Sequence, residues 1–313
     1  PPSPSARVPA ATSFRKAGPS LARKNLSDGV VVIGLGRFGK SLALELEREG
    51  IEVLGIDASD KDDEIAVDTH PVKGMYMPDG AVAYTAPAGG EYVVTANEGD
   101  AREYDCFAEE ERVKDLDLDP TAFPDAEAVQ ADESLGRLTV TTTSPRGDEG
   151  YTEVHSFGGR SVSILGADGS QVWDSGDALE QLVAERDPDN FNSGHDENDS
   201  FDSRSDAKGP EPEGLDIGTI GGSSYAFVGL ERDSGIAVVD VTDPTGAEIV
   251  GYAKNRDFSG DPEAGTAGDL GPEGVHFIPA ADSPTGEPLL LVGNEVSGTT
   301  TIWQVDAPGA LPE

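Results

Sequence analysis

Three times the sequence writes proline, an acid and glycine ahead of an apolar, β-rich run: Met77-Pro78-Asp79-Gly80-Ala81-Val82, Glu211-Pro212-Glu213-Gly214-Leu215 and Gly271-Pro272-Glu273-Gly274-Val275. After a turn, each copy continues into a second apolar stretch that closes on a glutamate, at Glu98, Glu231 and Glu295. Behind the second and third copies a glycine introduces a further strand, 235–240 or 298–305. A unit that recurs with the same punctuation restricts the fold to stacked copies of one supersecondary element. Four short antiparallel strands per unit suit the blades of a β-propeller, so the expected fold is mainly β, a partial propeller. The copies stand farther apart than the about 40–45 residues of a common blade, so insertions are expected.

The rest of the body agrees. Runs rich in β-branched and aromatic residues at 92–95, 138–142, 161–165, 225–228, 236–241, 289–292 and 300–305 alternate with turn residues and read as strands. Residues 177–185 form the one stretch with short-helix character. The division expected is a disordered leader over 1–27, a βαβ fragment over 28–60, the β body over 61–306 and a tail over 307–313.

The βαβ fragment rests on a different pattern. Val30-Val31-Val32-Ile33, a strand-like run, leads into Gly34-Leu35-Gly36-Arg37-Phe38-Gly39, then a leucine-faced helix ending at Gly50, then a second strand closing on Asp57. Gly34 permits the tight turn, Gly36 lets backbone N–H groups approach a pyrophosphate, and Gly39 lets helix and strand pack closely. Asp57 is placed to bind a ribose hydroxyl. The wording Val-Val-Ile-Gly-Leu-Gly-Arg-Phe-Gly-Lys-Ser-Leu-Ala resembles the RCK (TrkA-N) family of potassium-uptake regulators. That resemblance implies NAD(H) or an adenine nucleotide as cofactor and a potassium channel subunit as partner. A third strand of a mononucleotide-binding half is missing after residue 60.

The body resembles a second family, the choice-of-anchor I domains of bacterial surface and secreted proteins. The stretches that carry this likeness include Met75-Tyr76-Met77-Pro78-Asp79-Gly80, Thr95-Ala96-Asn97-Glu98-Gly99-Asp100, Ser156-Phe157-Gly158-Gly159-Arg160-Ser161 and Phe201-Asp202-Ser203-Arg204-Ser205-Asp206. It implies a β-propeller-like fold, an extracellular or cell-surface location, and a surface or matrix ligand. The two resemblances meet near Asp57 and together suggest a chimera of the two families.

Charge narrows the partners further. The chain carries 60 acidic against 22 basic side chains, a formal net charge of −38, and residues 1–60 are nearly balanced, so the excess falls on the body. Such a field repels nucleic acid and anionic lipid and favours cations or a saline medium. No apolar run has the roughly 20 residues needed to span a bilayer. Residues 1–24 lack the apolar core of a secretory signal. Cys106, the single cysteine, excludes an intramolecular disulfide and reads as a small buried or half-buried side chain.

Acids at repeated strand starts and ends converge if the innermost strands of neighbouring units do. Asp79, Glu98, Glu213, Glu231, Glu273 and Glu295 are therefore candidate ligands for Ca²⁺ or another divalent cation, because hard oxygen donors suit such ions. The alternative is that these acids close turns by accepting backbone N–H bonds. Asp196, Asn198, Ser200 and Asp202 alternate as oxygen donors in a second acidic stretch that departs from the EF-hand pattern. Arg102, Arg160, Arg204 and Lys208 are expected to pair with nearby carboxylates. His70, His155, His195 and His276 show no metal spacing, and no G-x-S-x-G elbow is present. The functions these residues allow are a non-enzymatic cation-binding surface domain, a metal-dependent hydrolase of phosphate esters or lactones, and a nucleotide-sensing regulator.

Overall fold

Each proline-acid-glycine motif starts the edge strand of an antiparallel sheet, and in each the residue before proline takes left-handed backbone: Met77 (φ 44°), Glu211 (φ 53°) and Gly271 (φ 69°). In the computed structural model, which describes residues 55–57, 65–306, 309 and 311, the first repeat sheet contains Gly80–Thr85, Glu91–Asn97, Ser161–Gly166 and Gln171–Asp174 in that order. The second contains Pro212–Ile220, Ser223–Leu230, Gly235–Asp240 and Glu248–Lys254, and the third Pro272–Ile278, Leu289–Asn294 and Thr299–Gln304. Every strand read from the sequence of the β body forms at or around its expected position, while the strand read at Val30–Ile33 lies outside the described residues. No closed barrel or propeller is formed among the described residues.

The expected insertion lies inside the first repeat, between Asn97 and Ser161. It has its own core around Val113, Leu135, Leu138 and Val140. Its strands Glu110–Arg112, Thr139–Thr141 and His155–Phe157 join Lys73–Met75 in a fourth sheet. There His155–Phe157 runs parallel to Lys73–Met75, unlike the all-antiparallel expectation. A parallel pair requires a long crossover, and the first hairpin with the insertion supplies it.

The second sheet is covered on both faces, as the period-2 alternation of a strand requires when both sides are buried. Ala226, Val228, Ala237 and Val239 pack with Val94, Ala96, Val162 and Ile164 of the first sheet. Tyr225, Phe227, Ile236 and Val238 pack with Phe277, Leu290 and Val292 of the third. Phe227 and Phe277 stack with centroids 5.6 Å apart and planes 8° from parallel. The helix Ala178–Arg186, one residue from its expected place, buries Leu179 and Val183 on one side.

The first strands of the three sheets converge: Pro212–Ile220 lies against both Gly80–Thr85 and Pro272–Ile278. This explains the motif glycines. A Cβ on Gly80 would strike the Glu213 carbonyl oxygen, and one on Gly214 the Glu273 carbonyl oxygen.

The leader, the tail apart from Gly309 and Leu311, and Gly34, Gly36 and Gly39 of the βαβ fragment lie outside the described residues. Gly55–Asp57 is a strand, but its partner is Val67–Thr69, antiparallel, with Asp57 opposite Val67. A dinucleotide-binding unit has a parallel partner there. Cys106 is exposed rather than buried, because it occupies the tight turn between Glu103–Tyr104 and Phe107–Ala108. No helix among the described residues is long and apolar enough to cross a membrane.

Candidate functional site

Glu231 donates its backbone N–H to the Glu211 carbonyl (2.8 Å), and Glu295 donates to the Gly271 carbonyl (2.8 Å). The carbonyl of the left-handed residue before proline thus fixes where the strand-end acid sits. In the first copy the bond slips by one residue, from Gly99 N–H to the Met77 carbonyl (3.1 Å). With the first strands converging, the acids at their starts and the glutamates after their partners meet at one end of the sheets.

Glu213 is at the centre of this meeting. Burial, then the carboxylates of Glu231, Glu98, Asp79 and Glu273, push its pKa up to about 8. Its Oε2 is enclosed and has no hydrogen-bond partner. The Glu295 carboxylate approaches Glu231 and His195, with donor atoms of the three within 4.8 Å of one another. All six acids singled out by the repeat are therefore brought together.

A seventh acid, Glu211, is fully buried and was not among those candidates. Arg204 Nη2 (2.6 Å), Lys208 Nζ (2.9 Å) and Arg232 Nε (3.1 Å) surround its carboxylate. Burial alone would raise its pKa, but the three cations outweigh burial and hold it below the usual carboxylate range. Lys208 also bonds Glu98. Burial still pushes Glu98 up to about 7, with Lys208 pulling down and Glu211 and Glu231 pushing up. His195 Nδ1 lies 2.8 Å from Glu231 Oε1, and its Nε2 lies 2.6 Å from Arg232 Nη1. The neutral tautomer protonated on Nδ1 satisfies both contacts.

Glu211 carries a sequence signal in retrospect. It is the acid directly before the motif proline, where the other copies have Met77 and Gly271. Arg204 and Lys208 stand seven and three residues before Glu211 and Arg232 directly follows Glu231, whereas His195 reaches the site through the folding of a loop that no spacing in the sequence records.

Seven carboxyl groups thus face three permanent cations. Two unit charges about 4 Å apart repel by about 4 kcal/mol at an effective dielectric near 20, so this excess favours uptake of protons or of a cation. Two triads have donor atoms within 4.8 Å, Glu98–Glu211–Glu231 and His195–Glu231–Glu295. The first is tied to Lys208 and the arginines. The second, beside Glu213, has the exposed Glu295 on its open side.

In the other acidic stretch Asn198, Ser200 and Asp202 are engaged in local structure. Asn198 Oδ1 accepts from Arg256 Nη2 (3.0 Å), while its amide donates to the carbonyls of Asp257 and Gly260. Ser200 Oγ bridges Gly194 N–H and the Glu197 carbonyl, and Asp202 accepts from Ser205 Oγ. The scarce cations pair as expected: Arg102 with Glu109 at 2.8 Å and Arg160 with Glu180 at 2.8 Å. His276 sits on an exposed strand position bonded to Asp216 (3.0 Å), and His155 to Glu153 (2.8 Å).

A family model of the choice-of-anchor I domain matches residues 24–244. The chain belongs to this family. Gigasin-3a of Magallana gigas is 34% identical over 194 residues, 57% of this chain and 67% of that protein. A mesenchyme-specific cell surface glycoprotein of Strongylocentrotus purpuratus is 31% identical over 224 residues, 60% of this chain but 29% of its own length. No solved structure matches the chain. The family match spans the glycine-rich stretch at 34–39, and these comparisons lend the RCK/TrkA-N resemblance no support.

Proposed function

We propose that this choice-of-anchor I domain is a cell-surface or secreted binding module, a partial propeller whose convergent acids take up a divalent cation. The observation that carries the reading is Glu213. A carboxyl with one enclosed, unpartnered oxygen and four acids around it is held near a pKa of about 8, so its site has unused affinity for positive charge. Glu231, Glu295 and Glu213 supply hard oxygens suited to Ca²⁺, with Glu98, Asp79 and Glu273 around them. Lys208, Arg204 and Arg232 neutralise the back of the site through Glu211 and leave the open side acidic. The surface location is supported by family membership and by the cell-surface name of the sea-urchin relative.

The test is thermal stability against CaCl₂, compared with NaCl at matched ionic strength. A bound ion stabilises by about 2.7 kcal/mol at a concentration about 100 times its Kd, and the effect saturates. Screening of the −38 charge acts gradually and without ion preference. A saturable shift with Ca²⁺ that disappears in Glu231→Gln/Glu295→Gln supports the site. Identical curves for CaCl₂ and NaCl would remove it.

A further inference from the structure

His195 brings an imidazole into a cluster that otherwise offers carboxylates. Donor atoms of His195, Glu231 and Glu295 lie within 4.8 Å of one another. By composition alone, one imidazole and two carboxylates are a set that Zn²⁺ accepts readily. The bonds around the ring point the other way. Nε2 lies 2.6 Å from Nη1 of Arg232, while Nδ1 is 3.3 Å from the same atom. A guanidinium nitrogen can only donate, so the nearer ring nitrogen, Nε2, offers its lone pair there and the ring proton stands on Nδ1. Nδ1 in turn donates to Glu231 Oε1 at 2.8 Å.

A metal-binding histidine needs the reverse arrangement, because it gives the proton of its other ring nitrogen to a carboxylate, a carbonyl or water. Bound to a metal through Nδ1, His195 would carry its proton on Nε2, where it would meet an Arg232 N–H. The pair is also held together from behind. Arg256, itself buried, donates from Nη2 to the Gly194 carbonyl (2.7 Å) and from Nη1 to the Arg232 carbonyl (3.1 Å). Gly194 N–H donates to Ser200 Oγ at 3.0 Å, and Arg232 Nε lies 3.1 Å from Glu211 Oε1. The backbone before His195 and the backbone of Arg232 are thus tied to one side chain.

We propose that Arg232 and His195 set the metal preference of the site: Arg232 fixes His195 as a proton donor to Glu231, so that a hard divalent ion such as Ca²⁺ is accepted through carboxylate oxygens and Zn²⁺ is denied its nitrogen ligand. The inference rests on the reading of the convergent acids as a cation site. Arg232 and His195 are positioning residues in it, since neither touches the ion. His195 engages Oε1 of Glu231 and leaves the other oxygen to the cation.

Selectivity of this kind has to come from ligand type and geometry. Imidazole suits zinc, copper and nickel, whereas carboxylate oxygens suit calcium, magnesium and manganese. Partners that orient a metal-bound histidine change affinity by about 10–100-fold, so a partner that holds the wrong tautomer acts on the same scale.

Two measurements on the whole chain test this: long-range ¹H–¹⁵N NMR of the four histidines in EDTA, and calorimetric titration with CaCl₂ and with ZnCl₂. His195 should show the neutral Nδ1–H ring. His195→Ala should change the preference for Zn²⁺ over Ca²⁺ by less than about threefold, because no ligand is lost. Arg232→Met should raise that preference by at least about tenfold, and His195→Ala/Arg232→Met should lose the gain. Comparing two ions cancels the general rise in cation affinity that follows removal of a positive charge. Melting curves check that the variants fold, and the wild-type tautomer decides the matter if Arg232→Met does not. An Nε2–H ring, a preference for Zn²⁺ that collapses in His195→Ala, or a folded Arg232→Met with the wild-type preference would overturn the proposal. An Nδ1–H ring in a chain without saturable Ca²⁺ binding would instead defeat the cation reading and leave the Arg232–His195–Glu231 relay standing.

Discussion

Replacing Glu213 with glutamine is expected to stabilise the cation-free protein above neutral pH and to leave it nearly unchanged at pH 5. Glutamine copies the protonated carboxyl and cannot ionise. An acid whose folded pKa lies above its unfolded value binds its proton more tightly in the native state. The associated stability is therefore fully present below the model value of 4.5 and is lost as pH rises through about 8. At about 1.36 kcal/mol per unit, that shift is worth a little under 5 kcal/mol as an upper bound. Glu213 is only partly buried, and solvent screening reduces the figure to about 2 kcal/mol. For a domain of this size about 2 kcal/mol corresponds to roughly 4–8 °C in melting temperature.

The assay is a thermal melt of wild type and Glu213→Gln in EDTA at pH 5 and pH 8.5. The variant should melt roughly 4–8 °C higher at pH 8.5 and within about 2 °C of wild type at pH 5. Adding Ca²⁺ at pH 8.5 should close the gap, because the ion takes the place of the missing proton only in the wild type. A variant destabilised equally at both pH values would refute the electrostatic reasoning and make Glu213 an ordinary packing residue.

Glu211→Gln should cost about 3–5 kcal/mol by urea denaturation, because it leaves three part-buried cations without their shared carboxylate. Arg160→Met should cost about as much, since the buried Glu180 would lose its guanidinium partner, and the added change Glu180→Leu should recover part of the loss. Gly214→Ala should lose about 2 kcal/mol or more by collision with the Glu273 carbonyl, whereas Gly274→Ala should stay within about 0.5 kcal/mol of wild type. Equal costs at the two glycines would contradict the stacking of units described here.

The β-class, the individual strands and the six acids were legible because they rest on local rules. Pro78, Pro212 and Pro272 mark strand starts, the following glycines mark close backbone approach, and β-branched runs mark buried strands. The completion of the first repeat sheet was hidden, because its third and fourth strands come only after the insertion between Asn97 and Ser161. The charge balance of the site was hidden as well. Arg204 and Lys208 read as local ion-pairing groups, yet from their loop they converge on Glu211 with Arg232, which lies in the turn between Ser223–Leu230 and Gly235–Asp240. His195 has no metal-ligand spacing in the sequence, because its partners Glu231 and Arg232 are more than thirty residues away. Residue type favours burial for Cys106, but the two-residue turn it occupies exposes it.

The central claim, that the convergent carboxylates form a proton-linked cation site, is tested most directly by calorimetric titration of Ca²⁺ at pH 7.5 in two buffers of different ionisation enthalpy. With Glu213 near 8 and Glu98 near 7, binding should release about one proton per ion. Glu213→Gln should abolish most of that release. Saturable binding with no proton released, or no saturable binding at all, would contradict it.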